Sequence, residues 1–190
     1  MSWRRNLPNA LSILRLALVP VLLVLAWQGG RTPFLWCFGA ALASDVVDGA
    51  VARRFGSASE LGARLDSWGD LAIYAALPLC AWWLWPDRVL EKLPLVAIAL
   101  VCFAAPTAVG VLKFGRITSY HTYFAKGIAN LIGLALILYL GFGLGWLFDL
   151  AVILLVFEAI EEIAITAVLP ELRSNVPSIV HALRMARGEP

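Results

Sequence analysis

Four aspartates carry the clearest chemical signal in the chain: Asp45 and Asp48, three residues apart, and Asp66 and Asp70, four apart. On a helix, each spacing projects both carboxylates from one face. The short segment Gly56 to Ser59 separates the two pairs, so a tight hairpin would turn their faces toward each other. Four carboxylates confined in a low-dielectric setting repel one another and remain ionised only if cations sit between them. Carboxylate-only ligation favours hard divalent ions, Mg²⁺, Mn²⁺ or Ca²⁺, over zinc. Gly49 follows Asp48, and Gly62 precedes Asp66 by one helical turn. Neither has a side chain to keep a bulky ligand from the backbone beside such ions. The competing structural reading pairs the aspartates with Arg53, Arg54 and Arg64, two of which are close enough to the interface to snorkel away.

Composition dictates what elements hold these residues. Of 190 residues, 61% are hydrophobic and 15% charged, with a mean hydropathy of +0.83, values that exclude a soluble domain or a disordered chain. The apolar runs are continuous, unlike the alternating strands of a membrane barrel. The expected fold is therefore all-α, a single integral membrane domain over residues 1–190. A ruler of roughly 20 apolar residues per span gives six transmembrane helices, near residues 8–27, 34–55, 60–85, 89–113, 120–142 and 146–169. Twelve Lys and Arg fall on one side of this layout and three, Arg31, Arg88 and Lys92, on the other, so both termini are expected to be cytoplasmic. Trp82, Trp83 and Trp85 then mark the far interface. Cys37, Cys80 and Cys102 lie in apolar runs without ligand spacing and read as small hydrophobes. A net charge of +2 with dispersed basic residues gives no reason to expect a nucleic-acid partner.

Ionisable residues inside spans are costly and usually mark function or a buried pair. Counted from the cytoplasmic ends, Asp48, Asp66 and Asp70 come out roughly 8 to 15 Å deep. Arg15, Lys126, Glu158, Glu161 and Glu162 fall in a similar band, as expected of one hydrated chamber open to the cytoplasm. The three glutamates would pair with Lys126 or Arg15, or else bind an ammonium group or a further metal. A cation or proton transporter is a second reading of the same acids, opposed by the lack of an internal repeat and by the position of the acids near one face of the membrane.

Taken together, Asp45-x-x-Asp48-Gly49-x-x-Ala52-Arg53, eight residues, then Gly62-x-x-x-Asp66-x-x-x-Asp70 resembles the signature of the CDP-alcohol phosphatidyltransferases, with all eight fixed residues at their expected spacing. The opening Asn6-Leu7-Pro8-Asn9-Ala10-Leu11-Ser12-Ile13-Leu14-Arg15 is similar to the start of bacterial phosphatidylglycerophosphate and phosphatidylserine synthases. The resemblance implies transfer of a phosphatidyl group from CDP-diacylglycerol to a small alcohol with release of CMP, in a bacterial inner membrane and by a homodimer. It implies that Asp45, Asp48, Asp66 and Asp70 hold two divalent ions, Mg²⁺ or Mn²⁺, with Asp70 also the base. Gly49, Ala52, Arg53 and Gly62 would hold the cytidine and diphosphate.

The acceptor is less legible. Lys113, Arg116, Tyr120, His121 and Lys126 surround the junction of the fourth and fifth spans and would suit an anionic acceptor such as glycerol 3-phosphate; the same basic residues would also satisfy the positive-inside rule. The run Asp66-Ser67-Trp68-Gly69-Asp70-Leu71 is nearer to phosphatidylserine synthases, so serine, inositol phosphate and phosphatidylglycerol remain alternatives. The tail from Pro170 to Pro190 is expected to hold a short interfacial helix.

Overall fold

The computed structural model describes the backbone of residues 3–55, 60–116, 120, 122–173 and 176–187. Side chains are described within these ranges except at 3–13, 15, 45–55, 60–68, 70, 123 and 126. Among the described residues the chain is all-helical. Its eight helices are α1 (Trp3–Trp27), α2 (Arg31–Phe55), α3 (Glu60–Leu84), α4 (Pro86–Glu91), α5 (Leu93–Phe114), α6 (Tyr123–Phe142), α7 (Gly145–Val168) and α8 (Ile179–Ala186). Of these, α5 is long and apolar enough to cross a membrane, and only 17% of its apolar stretch is buried within the protein. A soluble core helix of that composition would be covered. Shorter apolar stretches run over Leu16–Trp27, Leu71–Leu84 and Gly127–Phe142.

The chain divides into two compact units. In the first, Met1–Glu91 with Leu140–Gly143, α1 packs against both α2 and α3. The turn from α1 into α2 follows from its glycines. Gly29 sits at φ 75, a left-handed conformation that a residue with a Cβ adopts at a cost. Its N–H donates to Ala26 and that of Gly30 to Leu25, at 3.1 and 2.9 Å, which closes the helix in a Schellman motif. The end of α1 also lies beside that of α3, where the Trp27 and Trp83 rings meet edge to face at 5.3 Å. Leu22, Phe34, Phe38, Leu77, Cys80 and Leu84 fill the interior.

In the second unit, Lys92–Tyr139 with Leu144–Pro190, α7 packs against α5 and α8. At one end Lys92 grips both carboxylate oxygens of Asp149 at 2.8 Å, and Tyr139 stacks on Phe148 at 5.6 Å. At the other, Tyr120, Ile165, Leu169, Val176 and Ala182 form a buried cluster, with Phe114, Ile179 and Met185 packed on it. The tail helix α8 thus forms where one was expected, with part of its apolar side covered by protein.

Two sequence expectations need correcting. The segment near Val89 opens with the separate short helix α4, and the long helix begins only at Leu93, because Pro94 fits the first turn of a new helix and disfavours the middle of an old one. Trp85, expected at a lipid interface with Trp82 and Trp83, is only 6% exposed. Its ring lies 5.9 Å from Phe34 and also 5.9 Å from the Arg31 guanidinium.

Candidate active site

The four aspartates lie on α2 and α3, as their spacing requires. Asp45 and Asp48 are ten and seven residues before the end of α2 at Phe55; Asp66 and Asp70 are six and ten after the start of α3 at Glu60. At 1.5 Å per residue, all four fall about 9 to 15 Å from the ends joined by residues 56–59. Counted along its own helix, each acid therefore stands at a similar distance from the end nearest residues 56–59. Gly49, Ala52 and Arg53 follow on α2, and Gly62 lies within the first turn of α3. The side chains of these eight residues, and residues Gly56 to Ser59 altogether, lie outside the described residues.

Donor chemistry supplies the test of whether divalent ions suit this place. Four carboxylates without histidine or cysteine match hard cations, and the two helical spacings give each pair a shared face; the residues present fit the ions the sequence implies. Among the described residues, no group of three His, Cys, Asp or Glu could hold a metal elsewhere.

The five residues expected around the acceptor do not share one fate. Lys113 donates from Nζ to the backbone carbonyls of Thr166, Ala167 and Leu169 at 2.8, 2.8 and 2.9 Å. These are among the carbonyls that the end of α7 leaves without helical partners, and a cation there also opposes the negative end of the helix dipole. Tyr120 is 1% exposed, and its hydroxyl lies 2.9 Å from Thr166 Oγ1. Since the Thr166 hydroxyl donates to the Glu162 carbonyl at 3.0 Å, Tyr120 is the donor of that pair. Lys113, in the last turn of α5, and Tyr120, beyond it, thus bind the end of α7 to the end of α5 and the chain that follows. Arg116, by contrast, is exposed just beyond the left-handed cap Gly115. His121 lies outside the described residues, as does the side chain of Lys126 on α6.

Glu158 is buried, and Glu161 accepts the backbone N–H of Ile179 at 3.1 Å, capping the start of α8 from eighteen residues away. Nothing local in the sequence announces such a cap. Thr122 does carry a local signal: a threonine just before an apolar run marks a helix start, and its Oγ1 accepts the Ala125 N–H at 2.9 Å. Pairing of the glutamates with Arg15 or Lys126 concerns side chains outside the described residues.

Comparison with known proteins adds independent evidence. Two relatives, each named probable phosphatidylglycerophosphate synthase, from Mycobacterium tuberculosis strains CDC 1551 / Oshkosh and ATCC 25618 / H37Rv, are 39% identical to this chain over 71 residues. The match spans 34% of this chain and 34% of each relative. No solved structure matches. The family model described as CDP-alcohol phosphatidyltransferase matches residues 5–169, which includes every helix that carries an aspartate of the motif, and the chain belongs to that family of enzymes.

Proposed function

We propose that this protein transfers the phosphatidyl group of CDP-diacylglycerol to glycerol 3-phosphate, releasing CMP, at a metal-dependent site between α2 and α3. The observation that carries the reading is the eight-residue motif set on two successive helices, with its four acids at similar distances along them from the ends next to residues 56–59. Divalent ions, Mg²⁺ or Mn²⁺, would neutralise the diphosphate and stabilise the departing CMP. The protein's part is positioning and charge. Asp70 takes the proton of the acceptor hydroxyl, whose oxygen attacks the phosphorus bearing the diacylglycerol; the bond from that phosphorus to the bridging oxygen breaks and CMP leaves. Gly49, Ala52 and Gly62 leave space for the nucleotide against the backbone, and Arg53 supplies positive charge to the diphosphate.

The membrane setting follows the same reading. The six long helices span the bilayer of a bacterial inner membrane, with both termini and the aspartates toward the cytoplasm. Acyl chains then remain in lipid while nucleotide and acceptor arrive from water, and a homodimer is the expected assembly.

Glycerol 3-phosphate is favoured by the activity for which the two relatives are named and by exposed Arg116. With Lys113 and Tyr120 engaged at the end of α7, acceptor recognition falls to Arg116, His121 and Lys126. A phosphatidylserine synthase-like activity is the second reading, favoured by Asp66-Ser67-Trp68-Gly69-Asp70. The test is to offer purified protein CDP-diacylglycerol with glycerol 3-phosphate, serine, inositol phosphate or phosphatidylglycerol separately and to identify the lipid formed. Phosphatidylglycerophosphate from the first mixture alone is the expected result; phosphatidylserine from the second would replace the acceptor assignment.

A further inference from the structure

At the end of the first unit away from the aspartates, a recess of about 380 Å³ is lined by Arg31, Thr32, Trp85, Asp87 and Arg88, with Leu35, Leu140 and Gly141 completing it. Arg31 is fourteen residues before Asp45 on α2, and Trp85 is fifteen after Asp70. The recess is thus about 20 Å or more from the acids along the helices and belongs to a different site.

Its chemistry is that of an anion receptor with an apolar wall. Arg31 donates from Nε to the Leu84 carbonyl at 2.8 Å and lies over the Trp85 ring. These two contacts hold its guanidinium at the wall of the recess. Arg88 is a second arginine in the lining, Asp87 offsets one of the two charges, and Thr32 is a further polar residue there. Planar guanidinium forks suit phosphate oxygens. Gly141 keeps its part of the wall low, since even a Cβ there would stand 3.2 Å from Leu35.

A second observation gives the level in the membrane. Trp27, Trp36, Trp82 and Trp83 are 75%, 78%, 47% and 37% exposed, all near the helix ends that border the recess. Exposed indoles collect at the headgroup level of a bilayer. The volume, within the range of small-molecule sites, greatly exceeds what inorganic phosphate alone would fill.

We propose that this recess holds the phosphodiester of an anionic phospholipid headgroup in the leaflet opposite the active site, with the glycerol and first acyl carbons against Leu35 and Leu140. The proposal rests on the membrane reading above and is independent of the acceptor.

The experiment counts lipids that stay bound to detergent-purified protein in native mass spectrometry after exchange into phosphatidylglycerol or phosphatidylcholine, with CMP release measured in parallel. Wild-type protein should keep one more phosphatidylglycerol than the Arg31→Gln/Arg88→Gln variant, whose affinity falls about tenfold or more, and should keep no extra phosphatidylcholine. Arg88→Gln alone, which leaves the Arg31 to Leu84 bond intact, should lose most of the effect, and Arg88→Lys should restore part of it. CMP release should stay at the wild-type level in all three variants. Equal phosphatidylglycerol counts in wild type and both Gln variants would overturn the site, as would equal retention of phosphatidylcholine or displacement by millimolar inorganic phosphate. Absence of CMP release from wild-type protein would sink the enzymatic reading instead and leave the lipid count to decide this one.

Discussion

The acidic stretch of α2 and α3 and the basic stretch that begins in the last turn of α5 offer the same cue, charged side chains in or beside apolar helices, yet they resolve differently. Asp45, Asp48, Asp66 and Asp70 occupy two helices at heights set by helical repeat alone. Lys113 and Tyr120, expected in a ligand pocket, instead hold the end of α7 through its carbonyls and Thr166. The difference lies in what else can satisfy each group. A carboxylate well inside a helix finds no partner in its own backbone, whose N–H groups are already paired there and whose carbonyls are acceptors too, so a cluster of them suits cations from outside. An ammonium group finds three acceptors at any helix C-terminus. Basic residues at helix ends are therefore weaker evidence of a ligand than acidic ones within them.

Substitutions that remove one charge from each stretch should separate these roles. Asp66→Asn preserves shape and removes a cation ligand, and CMP release should fall by at least about 10²-fold, with the thermal midpoint in detergent little changed; a loss smaller than threefold would place Asp66 outside the site. Lys113→Ala should do the reverse, lowering stability by about 2 kcal/mol while the KM for acceptor holds; a raised KM at unchanged thermal midpoint would return Lys113 to the acceptor pocket. For Arg116→Ala, the KM for glycerol 3-phosphate should rise about tenfold, the worth of one charge-assisted contact, with kcat nearly constant, and an unchanged KM would remove Arg116 from acceptor recognition. The smallest effect is expected for Tyr120→Phe, about 1 kcal/mol of stability read as a lower thermal midpoint, without change in either kinetic constant.

How much of this was legible follows from the range of each interaction. The aspartate motif, the all-helical class and most helix breaks depend on neighbours within a few residues, so Gly29-Gly30 and Gly115 stopped helices where they were expected to. The caps on α7 and α8 join residues far apart in sequence, Lys113 to Thr166 and Glu161 to Ile179, and no local pattern encodes them. Trp85 shows the same limit. Sequence gives three tryptophans near one interface, but only the packing of Phe34 and Arg31 against one of them turns it inward. The short helix α4 hid because a continuous apolar count runs through Val89 and Leu90 without registering Lys92 and Pro94 as a restart.

The most direct test of the central claim, that the acids of α2 and α3 work as one cation-filled site, is CMP release from CDP-diacylglycerol by purified protein during titration with chelator and then with Mg²⁺ or Mn²⁺. Release should vanish with chelator, return with either ion in wild-type protein, and fail to return in Asp70→Asn. Release that persists in excess chelator, or an Asp70→Asn protein that recovers fully with added ion, would contradict it.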